Sequence, residues 1–143
     1  MAAALEVARS ATRTGDVPVG AIVITDDGVV IGRGFNEREA NNDPTAHAEI
    51  VAILAAQQCL QNYRLNECDL YVTIEPCLMC SGAIINSRIK RVIFGACEPK
   101  TGACLSQHQV FNNKKTNHHT EVIGPINQSY YSRLISNFFQ SNQ

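Results

Sequence analysis

Runs of β-branched residues alternate with helical stretches along this chain, and that alternation constrains its fold more than any other feature. Residues 19–24 and 29–31 are two such runs, and the Asp27-Gly28 step between them is a hairpin signal for antiparallel strands. Further on, residues 70–74 predict a strand, 77–86 a helix opened by Pro76, and 91–96 another strand. Leu5, Ala8 and Ala11 fall on one helical stripe that Gly15 closes, which predicts a first helix ending near Arg13. The polar stretch 36–43 reads as a loop. It leads into a helix over 46–58, with Ile50, Val51, Ile53 and Leu54 on its inner face and Thr45 or Asp43 as its cap. After a polar stretch at 107–120, residues 121–126 predict a last strand, and Tyr130, Leu134, Ile135 and Phe138 a closing helix. The order predicts a layered α/β fold. No repeat or linker interrupts it, so one domain is expected over residues 1–143.

Bulk properties exclude several classes. A content of 45% hydrophobic and 17% charged residues suits a chain with a packed core and argues against disorder. No apolar run reaches the roughly 18 residues of a membrane helix, and residues 1–13 lack the form of a signal peptide. A cytoplasmic protein without membrane contact is the expectation. Six cysteines in such a chain are expected reduced, with Cys59, Cys68, Cys97 and Cys104 acting as small apolar fillers. The net charge of −1 gives no global pull on phosphate, so any nucleic-acid contact falls to local cations. Arg88, Lys90 and Arg91 form one such group, with Lys100, Lys114 and Lys115 beyond. From charge alone, all of these read first as solvated surface.

Cys77 and Cys80 carry the clearest chemical signal. Three positions apart on a helix, they lie about 60° from one another and one turn along, so both sulfurs reach one ion. Both follow Pro76 into a first turn, where free backbone N–H groups favour thiolate. A lone C-x-x-C reads equally well as a redox pair. His47, in Thr45-Ala46-His47-Ala48-Glu49, also stands near a helix start. Alone it would be an ordinary histidine; with the cysteines it completes a set that suits one Zn²⁺ and leaves the fourth position to water. Glu49, about 200° from His47 on an ideal helix, reads as a proton carrier and not as a ligand. A structural zinc site, the competing reading, requires a fourth protein donor.

The segments 44–49 (Pro-Thr-Ala-His-Ala-Glu) and 75–80 (Glu-Pro-Cys-Leu-Met-Cys) together resemble the cytidine deaminase-like zinc deaminases. The H-x-E and P-C-x-x-C pattern, with these residue roles, is that already known for zinc base deaminases. The resemblance implies a three-layer α/β/α sandwich around a central mixed sheet. Within that superfamily the chain is similar to the bacterial tRNA adenosine deaminases through segments 16–21, 34–36, 62–65, 86–89, 92–96, 100–103 and 138–139. That similarity implies conversion of the wobble adenosine of an arginine tRNA to inosine, and a homodimer; helix 77–86, apolar over much of its circumference through Ala83, Ile84 and Ile85, is the candidate for part of that interface. It also implies that Asn36 bonds the flipped base or its sugar, that Ala48 offers a backbone contact, and that Val17 and Pro18 shape the pocket floor. Where such chains carry Asp, this one has Glu98, a longer carboxylate set to meet the neighbouring ribose, and Lys100 follows as a phosphate contact. A free-base or nucleoside deaminase acting on guanine or cytosine is the alternative with the same chemistry.

Overall fold

The computed structural model describes residues 1–141, in which five strands form one sheet of order β2-β1-β3-β4-β5. The hairpin of β1 (Gly20–Ile24) and β2 (Val30–Phe35) is antiparallel, β1 also pairs antiparallel with β3 (Asp69–Ile74), and β4 (Arg91–Ala96) and β5 (Glu121–Ile123) continue in parallel. The sheet is therefore mixed. A one-turn helix, α2 (Arg38–Asn41), interrupts the stretch expected to be loop, and the chain then enters α3 (Ala48–Leu60). Helix α4 (Leu78–Asn86) follows β3; α1 (Ala2–Thr12) and α5 (Gln128–Ser141) are the first and last elements. Among the described residues no helix is long and apolar enough to cross a membrane.

Strand alternation sorts the helices into two layers. Gly20 faces Ala4 and Ala8 of α1, and Gly95 faces Tyr131 of α5. Gly32 and Gly34, paired with Val23 and Ala21, face the other side, where α3 lies with α4 beside it. The result is the expected three-layer α/β/α sandwich. The approach of α3 is very close: a Cβ on Gly34 would stand 2.3 Å from the Ala48 carbonyl oxygen, and one on Gly32 would stand 2.3 Å from that of Ala52. Only glycine on the strand allows that distance.

This packing corrects two expectations about α3. Its buried face is Ala48, Glu49, Ala52, Ile53 and Ala56, whereas Leu54 is 57% exposed. Of these, Ala48, Ala52 and Ala56 meet the glycine column, where the close approach leaves no room for larger side chains. Its N-cap is His47; Asp43 instead closes a turn, accepting from the Thr45 backbone N–H at 2.9 Å and its hydroxyl at 2.7 Å. The first helix likewise buries Ala4, Ala8 and Ala11, with Leu5 only partly covered. Cys68 and Cys104 fill the core as expected, but Cys59 is exposed near the end of α3.

Candidate active site

Two helix starts converge beside the sheet. His47 caps α3 and Cys77 caps α4, both with extended backbone, and Cys80 lies within the first turn of α4. The local sequence explains the pairing: Pro76 cannot continue a strand ladder and opens the helix, while the turn at Asp43 delivers His47 to the mouth of α3. His47 Nδ1 stands 3.6 Å from each of the Cys77 and Cys80 sulfurs. Ligand bonds of about 2.3 Å to sulfur and about 2.1 Å to nitrogen at a tetrahedral angle place N and S about 3.6 Å apart, so the donors fit Zn²⁺. Among the described residues no fourth protein donor joins the group, which removes the basis for a purely structural site.

The electrostatics suit ligation. The Cys77 thiol is pushed down to about 4, chiefly because the Cys80 thiol donates to it; burial opposes this, and His47 and a backbone N–H assist. Cys80 is pushed up in return, by that same donation and by burial. Zinc, held by His47, Cys77 and Cys80, would displace this shared proton and take both sulfurs as thiolates. Glu49, 3% exposed, is raised to about 7 mainly by burial, and its carboxylate stands against the Cys80 sulfur. It lies outside the group of His47, Cys77 and Cys80. Because His47 sits on the cap and not within the helix, the 200° of an ideal helix does not relate the two.

A cleft of about 500 Å³ opens over these residues. Val17, Asn36, Glu98 and Lys100 line it. Pro18 does not: it faces a separate groove between α1 and α5, and Val19 takes its place in the cleft. The Val19 N–H donates to the Val17 carbonyl at 2.8 Å, a tight turn centred on Pro18 that sends Pro18 to one side and leaves Val17 and Val19 on the cleft. The Ala48 N–H donates to Asn36 Oδ1 at 2.9 Å, which commits that amide and leaves Asn36 Nδ2 as the donor facing the cleft. Glu98 Oε1 accepts the Lys100 backbone N–H at 3.0 Å.

Sequence reasoning missed Arg38, Glu75, Thr101, Ile135 and Phe139, all of which line the cleft. Phe139 falls within the 138–139 segment that carries the resemblance; Arg38 had no signal beyond a polar loop. The Arg38 Nη2 and Nε groups bond Asp16 Oδ1 at 2.8 and 3.2 Å, and the Asp16 side chain is fully buried. Burial raises the Asp16 pKa, but Arg38 and the Glu39 and Val17 N–H groups outweigh it and hold the carboxyl below its ordinary range. Glu75 is likewise raised by burial, yet held low overall by Ser106 and the backbone N–H groups around it. The expected basic group at 88–91 is largely engaged within the chain. Arg91 grips Asp69 through two bonds of 2.9 and 2.8 Å, Lys90 meets Glu67 at 3.2 Å, and Arg88 donates to the Asn117 carbonyl at 3.1 Å.

A three-layer sandwich with a His, Cys, Cys donor set and an adjacent buried carboxylate defines a zinc-dependent deaminase. The family model of the cytidine and deoxycytidylate deaminase zinc-binding region matches residues 1–96, and the chain belongs to that family. It is 46% identical to the tRNA-specific adenosine deaminase of Haemophilus influenzae over 140 residues, 98% of this chain and 81% of that one. A solved structure from a study of A-to-I editing by tRNA:A34 deaminases at the wobble position shares the fold at a TM-score of 0.86. It is 42% identical, with 92% of this chain and 94% of that one covered. The guanine deaminase of Bacillus subtilis is more remote in fold, with a TM-score of 0.64, 34% identity and coverage of 99% and 90%.

Proposed function

We propose that this chain hydrolyses adenosine to inosine at the wobble position of a tRNA anticodon, with an arginine tRNA as its substrate. The observation that carries the reading is the set of three protein donors beside a buried carboxylate, in a cleft rimmed by Asn36, Glu98 and Lys100. The identity to tRNA-specific adenosine deaminases supports the substrate.

His47, Cys77 and Cys80 would hold the zinc, one ion per chain. When bound, zinc lowers the pKa of a coordinated water toward about 7 and so supplies the nucleophile. Glu49 takes one proton from the attacking water and delivers it to purine N1, then takes the second from the hydroxyl newly added at C6 and passes it to the amine, which leaves as ammonia as the C6 carbonyl forms. Water adds and ammonia departs, so adenosine becomes inosine. Asn36, oriented by the Ala48 N–H, presents Nδ2 to the base or its sugar. Val17 forms the floor, Glu98 meets the neighbouring ribose and Lys100 a phosphate. The base reaches C6 attack only when unstacked, and an anticodon loop makes that unstacking inexpensive.

The proposal includes one domain, a homodimer, and a cytoplasmic setting that keeps Cys77 and Cys80 reduced. Exposed Leu78 and Met79 on α4, together with Leu54 and Tyr63 beside a groove of about 990 Å³, are the candidate dimer surface. A free-base deaminase is the second reading, favoured by the likeness to a guanine deaminase. Zinc-loaded protein is tested on an anticodon stem-loop, on guanine and on cytosine. Inosine should form in the stem-loop, and Glu49→Ala should retain about one zinc while losing at least about a hundredfold in rate. Turnover of guanine or cytosine with the stem-loop untouched refutes the assignment.

A further inference from the structure

We propose that Glu75 is a positioning residue: its buried carboxylate fastens the loop bearing Glu98 and Lys100 to the peptide bearing Cys77, and so sets the substrate rim against the metal donors. The inference rests on the function proposed above for what the rim binds, but its structural half stands on contacts alone.

Glu75 follows β3 directly and is 2% exposed. Its Oε2 accepts three successive backbone N–H groups, from Cys104, Leu105 and Ser106, at 3.0, 2.7 and 2.9 Å. Its Oε1 accepts the Glu98 N–H at 3.0 Å and the Ser106 hydroxyl. Among the described residues no lysine or arginine pairs with it, so the whole charge is balanced by the loop that it gathers. Such a carboxylate organises the backbone at both ends of the loop, Glu98 and 104–106, with Lys100 and Thr101 between them. The two segments also meet through the main chain: the Ala103 N–H donates to the Pro76 carbonyl at 2.8 Å, and Cys77 bridges Gly102. Gly102 has no alternative there, since a Cβ would stand 2.3 Å from the Glu75 carboxylate. The metal-donor peptide and the substrate rim are thus two sides of one clamp whose pin is a side chain that need not touch either ion or base.

Glu75→Gln keeps the size but turns an NH₂ group toward N–H donors. Hydrogen exchange by mass spectrometry should show the amides of 104–106 exchanging at least about tenfold faster, with α3 and α4 unchanged. Zinc content should stay at about one per chain. In steady state on the stem-loop, KM should rise about tenfold, the loss expected for one hydrogen bond to a charged group, while kcat moves less than about threefold. Ser106→Ala, a milder cut at the same pin, should raise KM about threefold and decides the matter if Glu75→Gln does not fold. Unchanged exchange at 104–106 overturns the clamp. Faster exchange with unchanged KM, or a fall in kcat and zinc at constant KM, overturns its positioning role. If the parent protein leaves the stem-loop untouched, the functional reading fails instead, and the exchange result still judges the clamp.

Discussion

Replacing Asp16 with asparagine removes one charge from a fully buried side chain and leaves its size unchanged. The carboxylate accepts four hydrogen bonds: two from Arg38, one from the Val17 N–H at 2.8 Å and one from the Glu39 N–H at 3.2 Å. In the Asp16→Asn variant the side-chain oxygen would satisfy Arg38 and Val17, but the NH₂ group would face the Glu39 N–H and leave a donor unmatched. An unmatched buried donor costs about 1–3 kcal/mol. The lost ion pair adds little, because the Arg38 side chain is 37% exposed and recovers water. The sum is about 2 kcal/mol, or roughly 7 °C in Tm for a chain of this length. The penalty depends on pH with a definite sign. Asp16 has a folded pKa below its ordinary value, so its stabilisation is full above about pH 4 and fades as pH falls through the folded value. Urea denaturation of parent and variant at matched pH, from about 7 down to about 3, isolates this difference, since acid loss of zinc is common to both. A penalty under about 0.5 kcal/mol at neutral pH, or one that persists unchanged at the acid end, refutes the reasoning.

Two further outcomes follow from the site. Cys80→Ala should drop bound zinc well below one per chain by metal analysis and lower the melting temperature, because two donors hold the ion poorly and the folded state loses its ligand; unchanged metal content removes Cys80 from the donor set. Lys100→Ala should weaken stem-loop binding and reduce the slope of log affinity against log salt by about 1, as when one phosphate contact is lost; an unaltered slope places Lys100 outside the interface.

What the sequence disclosed and what it hid follow a physical division. Metal ligation needs particular residue types at local spacing, so His47, Cys77 and Cys80 were legible, and so was the alternation that makes the sandwich. Side-chain direction within a tight turn has no such marker: the sequence places Pro18 in the cleft, whereas the turn centred on it leaves Val17 and Val19 there. Hydrophobicity also misled on α3: Leu54 is apolar yet exposed, because the depth of the helix is set by Gly32 and Gly34, which lie before it in the chain. The cations at 88–91 read as an open patch because their partners Glu67, Asp69 and Asn117 are distant in sequence. Glu75 was visible within its motif, but its hydrogen-bond partners are backbone amides 23 to 31 residues away, and amides carry no residue signature.

The glycine column of β2 has a consequence for anyone who mutates this protein at random and selects for turnover. The distance of α3 from the sheet is limited by atoms that glycine lacks, and the start of α3 carries His47 on its cap and Glu49 in its first turn. A methyl group on Gly34 would press on the very turn that bears both, from beneath, without meeting water, metal or nucleotide. Such a screen would score this position as unforgiving as the ligands themselves, and a map of intolerant sites would extend past the chemistry into its scaffolding.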